Sequence, residues 1–231
     1  AGPNSRSFLK KIVVSEDPDK TLSNKEFPWL SYRDIEIGMC PVRALRVAYT
    51  GELGWELHHP IEMQNYLLDI LLSSGKEFNL KLVGARAQNW LRQEKSYKAF
   101  GSDLGRDAGP FESKLSRFVD INNNFLGKDA LLKRKTDVSC VTLLIDGPKD
   151  IDPWGREALY NETEEVMLGR LTSAGYSVHF KRSIGIGYVK SSFSEVGTKL
   201  RIKIDDAFWN AEIVRESPYD PQNERIIDRA Q

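Results

Sequence analysis

The stretch from Arg43 to Pro60 reads RALRVAYTGELGWELHHP. From Val42 to Tyr49 the side chains alternate. Val42, Ala44, Arg46 and Ala48 lie on one side, and Arg43, Leu45, Val47 and Tyr49 on the other, which is the period of a strand. Gly51 and Gly54 bracket a sharp turn, because glycine reaches backbone angles that other residues resist. A second strand-like run follows through Trp55, Glu56 and Leu57. Just upstream, Tyr32 to Ile37 reads as another strand turned by Gly38, and two adjacent strands around a turn make an antiparallel pair. Glu52 sits inside the two-glycine turn. A carboxylate so placed either faces a cavity or is a solvated turn residue, and the bare residues leave both open. Glu56 shares that site or is an ordinary surface residue. Tyr49 and Trp55 are either flat apolar walls or core aromatics.

Outward from this stretch the period changes. Ile61, Gln64, Tyr66, Leu67, Ile70 and Leu71 mark an amphipathic helix that stops at Gly75. A second helix is predicted over Val83 to Phe100, ended by Gly101, with Val83, Ala87, Trp90, Leu91, Glu94 and Tyr97 recurring at helical spacing. Glu94 thus lies on or beside the apolar stripe, and needs a partner if it is buried. Arg92 is an exposed helix residue or a guanidinium forked onto a carboxylate, whether a ligand's or a neighbour's. Toward the amino end, Gly2–Pro3 turns into Asn4 and Ser5, which can cap a helix whose apolar face is Phe8, Leu9 and Ile12. Residues 15–28 read as loop or a short helix. Lys128 to Arg134 reads as a short basic helix.

Beyond Val138 the pattern becomes short strands about ten residues apart: Val141–Ile145, Leu159–Tyr160, Val166–Thr172, Ile184–Val189, Lys199–Ile204 and Trp209–Val214. Turns fall at Pro148, Asp152–Pro153, Gly155 and Val196–Thr198. Such a series makes a small sandwich or open barrel. The predicted class is α+β, with an α+β domain over residues 1–137 and a β-barrel domain over 138–231.

Composition excludes more than it selects. Lys plus Arg and Asp plus Glu are 33 each in 231 residues, so the formal charge is zero and nothing favours nucleic acid or an acidic membrane surface. No apolar run approaches the roughly 18 residues of a membrane span. Cys40 and Cys140 are far apart, and adjacent His58 and His59 point to opposite faces of a strand, so no metal site is expected. No GxSxG, GK[ST] or GxGxxG occurs, so no serine-hydrolase elbow and no nucleotide or flavin cradle is expected. Lys181 and Arg182 either reach an acidic ligand tail or form a solvated basic turn, which composition favours.

Several motifs, taken in order, resemble the aminomethyltransferase (glycine-cleavage T-protein) superfamily, in the version of dimethylglycine and sarcosine dehydrogenases. They are Tyr49–Leu57 (YTGELGWEL), Leu91–Lys95 (LRQEK), Phe100–Leu104 (FGSDL), Pro110–Glu112 (PFE), Phe125–Leu131 (FLGKDAL), Asp152–Gly155 (DPWG), Gly169–Tyr176, Ile184–Val189 and Tyr219–Pro221. The set spans nearly the whole chain. Ser113–Lys114 departs from the family's Ala-Gly after Pro-x-Glu.

The resemblance implies a T-protein-like folate-binding domain lacking its upstream segment, followed by a C-terminal β-barrel. It implies tetrahydrofolate as ligand, and transfer of a one-carbon unit from a small amine to it. Glu52 is then the partner of the pterin edge, whose adjacent donors suit two carboxylate oxygens. Tyr49, Trp55, Tyr97 and Tyr176 line the cavity. Arg86 or Arg92 holds the acidic tail, or Arg92 with Glu94 supports the pocket. The family's catalytic aspartate is expected upstream of Ala1, so no catalytic residue falls in this chain and the chain alone is expected to be inactive. FAD belongs only to a domain further upstream. The resemblance also covers a non-enzymatic regulatory or interaction protein, and a folate-dependent demethylase of another small substrate. Expected partners are a small amine and folate, with self-association or a partner protein at the truncated edge. The expected location is the cytoplasm or the mitochondrial matrix.

Overall fold

The computed structural model describes residues 1–134, 136–147 and 152–228. Pro148, read above as part of a turn, lies outside them. The chain forms two units, Ala1–Gln88 with Asp220–Gln231 and Asn89–Tyr219.

The first unit begins with helix α1 (Ser5–Ile12) and the single turn α2 (Pro18–Thr21). Asp17 caps α2 by accepting from the Lys20 amide at 2.9 Å. Asn4 stands at the N-cap of α1, but it is Ser5 that bonds there, its Oγ donating to the Gly2 carbonyl at 2.6 Å. Three antiparallel strands follow in the order β1 (Tyr32–Ile37), β2 (Cys40–Leu45) and β3 (Glu56–His58). A turn over Ile61–Met63 leads into α3 (Gln64–Gly75). Ile35, Ile37, Val42 and Ala44 point inward and meet Phe8, Leu9 and Ile12 of α1 and Leu67 of α3. Asp34, Glu36, Arg43 and His58 lie on the exposed outer side.

The strand expected to run to Tyr49 stops at Leu45. Two more bonds follow, from the Arg46 amide to Ser31 O (2.9 Å) and from the Leu30 amide to Arg46 O (3.2 Å), and the ladder ends there, with Leu30 at φ +65° and the Val47 amide bonded back to Leu45 O (2.9 Å). Arg46 then turns inward. It is 1% exposed, and its guanidinium donates to the carbonyls of Phe27 (2.6 Å) and Ile227 (2.7 Å). The run after the glycine turn is correspondingly short, only Glu56–His58.

The chain continues into α4 (Ala85–Glu94), shorter than the predicted Val83–Phe100. Ser96 rather than Gly101 ends it. Ser96 takes the left-handed conformation (φ +55°), its amide bonds to Gln93 O, and the Tyr97 amide to Arg92 O. This is the Schellman pattern, usually built on glycine. The serine is tolerated because its hydroxyl is held by Thr142 Oγ1 (2.7 Å) and accepts from the Ser217 amide (2.8 Å).

The second unit contains α5 (Lys128–Lys133) and six strands: β4 (Val138–Ile145), β5 (Ala158–Tyr160), β6 (Met167–Ser177), β7 (Arg182–Lys190), β8 (Lys199–Ile204) and β9 (Ala207–Val214). They form a closed barrel in the order β4-β7-β6-β5-β8-β9, shut by pairing of β4 with β9. Closure removes the exposed edges of an open sheet. Alternate residues fill the inside, among them Val141, Leu143, Ile145, Leu159, Leu171, Val189, Ile202 and Ile213. Each such burial stabilises by about 1.5–3 kcal/mol. The mixed helix-and-sheet class and the C-terminal barrel are as expected.

Candidate functional site

Within the first unit, Tyr49, Glu52 and Trp55 share the connection between β2 and β3. Glu52 is half-buried, with its side chain 22% exposed and Oε1 3.9 Å from Arg225 Nη1. The Trp55 ring meets Phe27 edge-on at 6.3 Å. Arg6 and Arg46 stand over that ring at 5.5 and 6.0 Å. Both arginines are almost fully buried. Burial, then the neighbouring Arg6, brings the Arg46 guanidinium down to about 10. Asp228 is the carboxylate on this pair, accepting from Arg6 Nε at 3.0 Å.

Trp55 and Leu57, with Phe8, Leu9, Phe78 and Leu80, wall a cavity of about 560 Å³ in this unit. Two polar atoms flank Glu52 in the chain, Thr50 Oγ1 and Trp55 Nε1. Both are buried without a hydrogen-bond partner among the described residues. Buried donors are ordinarily paired, so this segment has hydrogen-bonding capacity left over. Trp55 brings this connection to the cavity, while Tyr49, Thr50 and Glu52 lie outside its lining. Glu56 stands on the outer face beside His58 at 3.5 Å. Arg86 is exposed in the first turn of α4.

Within the second unit, Arg92 and Glu94 are buried, at 2% and 4% exposed. Arg92 donates from Nη1 to Asp103 Oδ2 (2.6 Å) and the Tyr97 carbonyl (2.6 Å). Its Nη2 donates to Ser173 Oγ (2.7 Å) and its Nε to Asn89 Oδ1 (2.8 Å). The fork is thus taken up by the chain itself. Asp103 is equally engaged, accepting also from the Ala99 amide (2.9 Å) and from the hydroxyls of Thr172 and Ser173 (2.6 Å each). Thr172 reaches it because the β6–β7 register shifts between Leu171 and Ser173, a bulge that re-aims the side chain. Glu94 accepts from Ser177 Oγ and from the His179 amide (3.2 Å). The Tyr176 ring meets Trp90 edge-on at 6.4 Å. Trp90 lies so close over Gly175 that any Cβ there would collide with the indole.

Asp103, Thr172 and Ser173 were not among the residues singled out from the sequence. Asp103 sits in the FGSDL motif, but its hydroxyl partners lie 69 and 70 residues away, and no local pattern marks a bulge at Thr172. Both cysteines are buried free thiols, and burial pushes Cys140 up to about 11, which keeps it protonated and inert. Among the described residues no group of three or more His, Cys, Asp or Glu could hold a metal ion, and no helix is long and apolar enough to cross a membrane.

A family profile described as the GCVT N-terminal domain matches residues 1–123. A second, described as the glycine cleavage T-protein C-terminal barrel domain, matches residues 139–220. The chain is 36% identical over 223 residues to the mitochondrial dimethylglycine dehydrogenase of Mus musculus, covering 94% of this chain and 24% of that protein. It is 29% identical over 219 residues to an aminomethyltransferase of Caldanaerobacter subterraneus, covering 94% of this chain and 57% of that one. The crystal structure of the glycine cleavage system aminomethyltransferase T from Bartonella henselae matches with a TM-score of 0.76 at 21% identity, over 94% of this chain and 57% of that chain. That likeness shows the fold. The chain spans about a quarter of the dehydrogenase and just over half of the aminomethyltransferase.

Proposed function

The chain belongs to the glycine-cleavage T-protein family, and on that premise we propose that it is the tetrahydrofolate-binding part of an enzyme of one-carbon (aminomethyl) transfer. The observation that carries this reading is the pair of unpartnered buried polar atoms, Thr50 Oγ1 and Trp55 Nε1, on either side of half-buried Glu52. Tetrahydrofolate, when bound, supplies the nitrogen that accepts the one-carbon unit. The residues of this chain bind and orient it.

In the first unit Glu52 accepts two hydrogen bonds from the pterin edge, a charge-assisted and directional match. Tyr49 and Trp55 give flat apolar contact, and exposed Arg86 is the cation for an acidic tail. In the second unit Arg92 and Glu94 act as supports. They fix the end of α4 within that unit, where Arg92 bonds the Tyr97 carbonyl and Glu94 bonds Ser177 next to Tyr176. Held orientation and exclusion of water are the contributions such residues make to transfer. The reading assigns folate binding to residues 1–137 and a supporting barrel to 138–231. A small amine is the proposed donor, and the mitochondrial relatives support a place in that organelle.

The test is anaerobic calorimetric titration of tetrahydrofolate into the protein, with a Glu52→Gln control. Saturable binding is expected, weakened at least about tenfold (about 1.4 kcal/mol) in the variant, with an unchanged melting temperature. Equal affinity in the variant would remove Glu52 from the site. No binding in either protein would favour a regulatory or interaction role.

A further inference from the structure

The second unit carries a recess of about 300 Å³ that no part of the folate reading uses. It is lined by Gly101, Ser102, Gly155, Arg156, Arg170, Leu171 and Thr172. Its walls are two loops of the same design. Each has an exposed aromatic residue, then a glycine at positive φ, then a polar residue: Phe100-Gly101-Ser102 and Trp154-Gly155-Arg156. Phe100 is 90% exposed and Trp154 80%. Gly101 has φ +93° and Gly155 φ +87°. A Cβ on Gly155 would come 2.5 Å from the Ser173 Cα, so the second loop is seated directly on the β6 backbone.

Two arginines stand in the lining of this recess. Neither the Arg156 nor the Arg170 guanidinium has an ion-pair or hydrogen-bond partner among the described residues. Two described carboxylates beside these loops, Glu157 and Asp103, are already committed. Glu157 accepts from the backbone amides of Trp154, Gly155 and Arg156 at 2.7–2.9 Å, which stiffens the loop and consumes its acceptors. Asp103 is saturated by Arg92, Thr172, Ser173 and the Ala99 amide. Two guanidiniums thus line one recess beside the Ser102 hydroxyl. Planar guanidinium forks match oxyanions geometrically, and two of them suit a ligand with two negative charges.

We propose that the recess between the Gly101 and Gly155 loops is a binding site for a small molecule bearing a dianionic oxyacid group, held by Arg156 and Arg170 with Ser102. The exposed aromatics beside it favour a ligand with a flat apolar part next to that group. A phosphate monoester and a pair of carboxylates share this chemistry, and the test separates them.

Inorganic phosphate, phenyl phosphate and glutarate are titrated calorimetrically into the protein at low ionic strength. Two double variants follow, Arg156→Gln/Arg170→Gln and, matched in charge, Lys190→Gln/Lys199→Gln. All four residues are exposed, and equal melting temperatures confirm that both variants fold. The expected result is one saturable site, weakened at least about tenfold in the arginine variant and kept in the lysine variant. Binding should also weaken as salt rises. Preference for phenyl phosphate assigns a phosphate monoester; preference for glutarate assigns paired carboxylates. The proposal is overturned if none of the three anions saturates, or if both double variants weaken binding equally, which would reduce the effect to net charge.

Discussion

The cluster around Arg92 in the second unit and the Tyr49–Leu57 segment in the first treat polar groups in opposite ways. Arg92 and Asp103 are buried, but each is surrounded by partners of its own chain at 2.6–2.9 Å. In the other segment a threonine hydroxyl and an indole N–H are buried with no partner among the described residues, and the indole belongs to a residue that lines a cavity. A buried polar group without a partner is costly, so the two arrangements are sustained for different reasons. The first stabilises local structure and has nothing left to offer a ligand. The second gives up some stability and retains binding capacity. An arginine and a glutamate on a helical stripe can therefore be framework while the less conspicuous turn is the site.

This contrast can be broken at its strongest point by Asp103→Ala. That variant leaves the Arg92 guanidinium buried and unpaired, and should lose about 3–5 kcal/mol in denaturant unfolding. A loss under 1 kcal/mol would mean that the cluster is not framework. A smaller effect sharpens the contrast within the barrel. The Cys140 thiol is pushed by burial from about 9 up to about 11. Its folded value is raised, so its contribution is whole below about pH 9 and is lost as the pH climbs toward 11. Stability should then fall by about 2–3 kcal/mol across that window. Cys140→Ala should flatten this slope and leave the later fall from Tyr188, which burial pushes up to about 12. The smallest effect belongs to the outer face of the first unit. There Arg43 forks onto Asp34 at 2.8 and 3.0 Å and holds its carboxyl below the usual range, in full contact with water. Arg43→Gln should leave the denaturation midpoint unmoved, because exposed ion pairs contribute little. A clear drop would show that this face also belongs to the framework.

Much of the fold was legible where turn chemistry and periodicity agreed. The strands Tyr32–Ile37 and Lys199–Ile204 fall on their predicted bounds, next to Gly38 and Gly197 at φ +58° and +90°. Two of the misplaced boundaries lie beside a non-glycine residue in the left-handed region. Leu30 stands where the β1–β2 ladder ends, and α4, capped at Ser96, ends at Glu94, six residues before the last predicted position, Gly101 being the more obvious stop. Neither residue type advertises that conformation, and Ser96 is held in it by partners 46 and 121 residues away. The candidate residues were legible as types and spacings. Their surroundings were not, because the hydroxyls that saturate Asp103 come from a bulge that exists only once β6 and β7 pair.

The order of strands around the barrel has a consequence in time. The β6–β7 and β8–β9 pairings join neighbours in the chain, whereas the seam between β4 and β9 joins Thr142 to Val214 and Ile145 to Ala211 across the whole domain. Local hairpins form before such a seam, since a long loop must be closed before its contacts repay the lost entropy. Folding of this unit should therefore end with the meeting of its first and last strands, and until then two unpaired edges remain open to other chains.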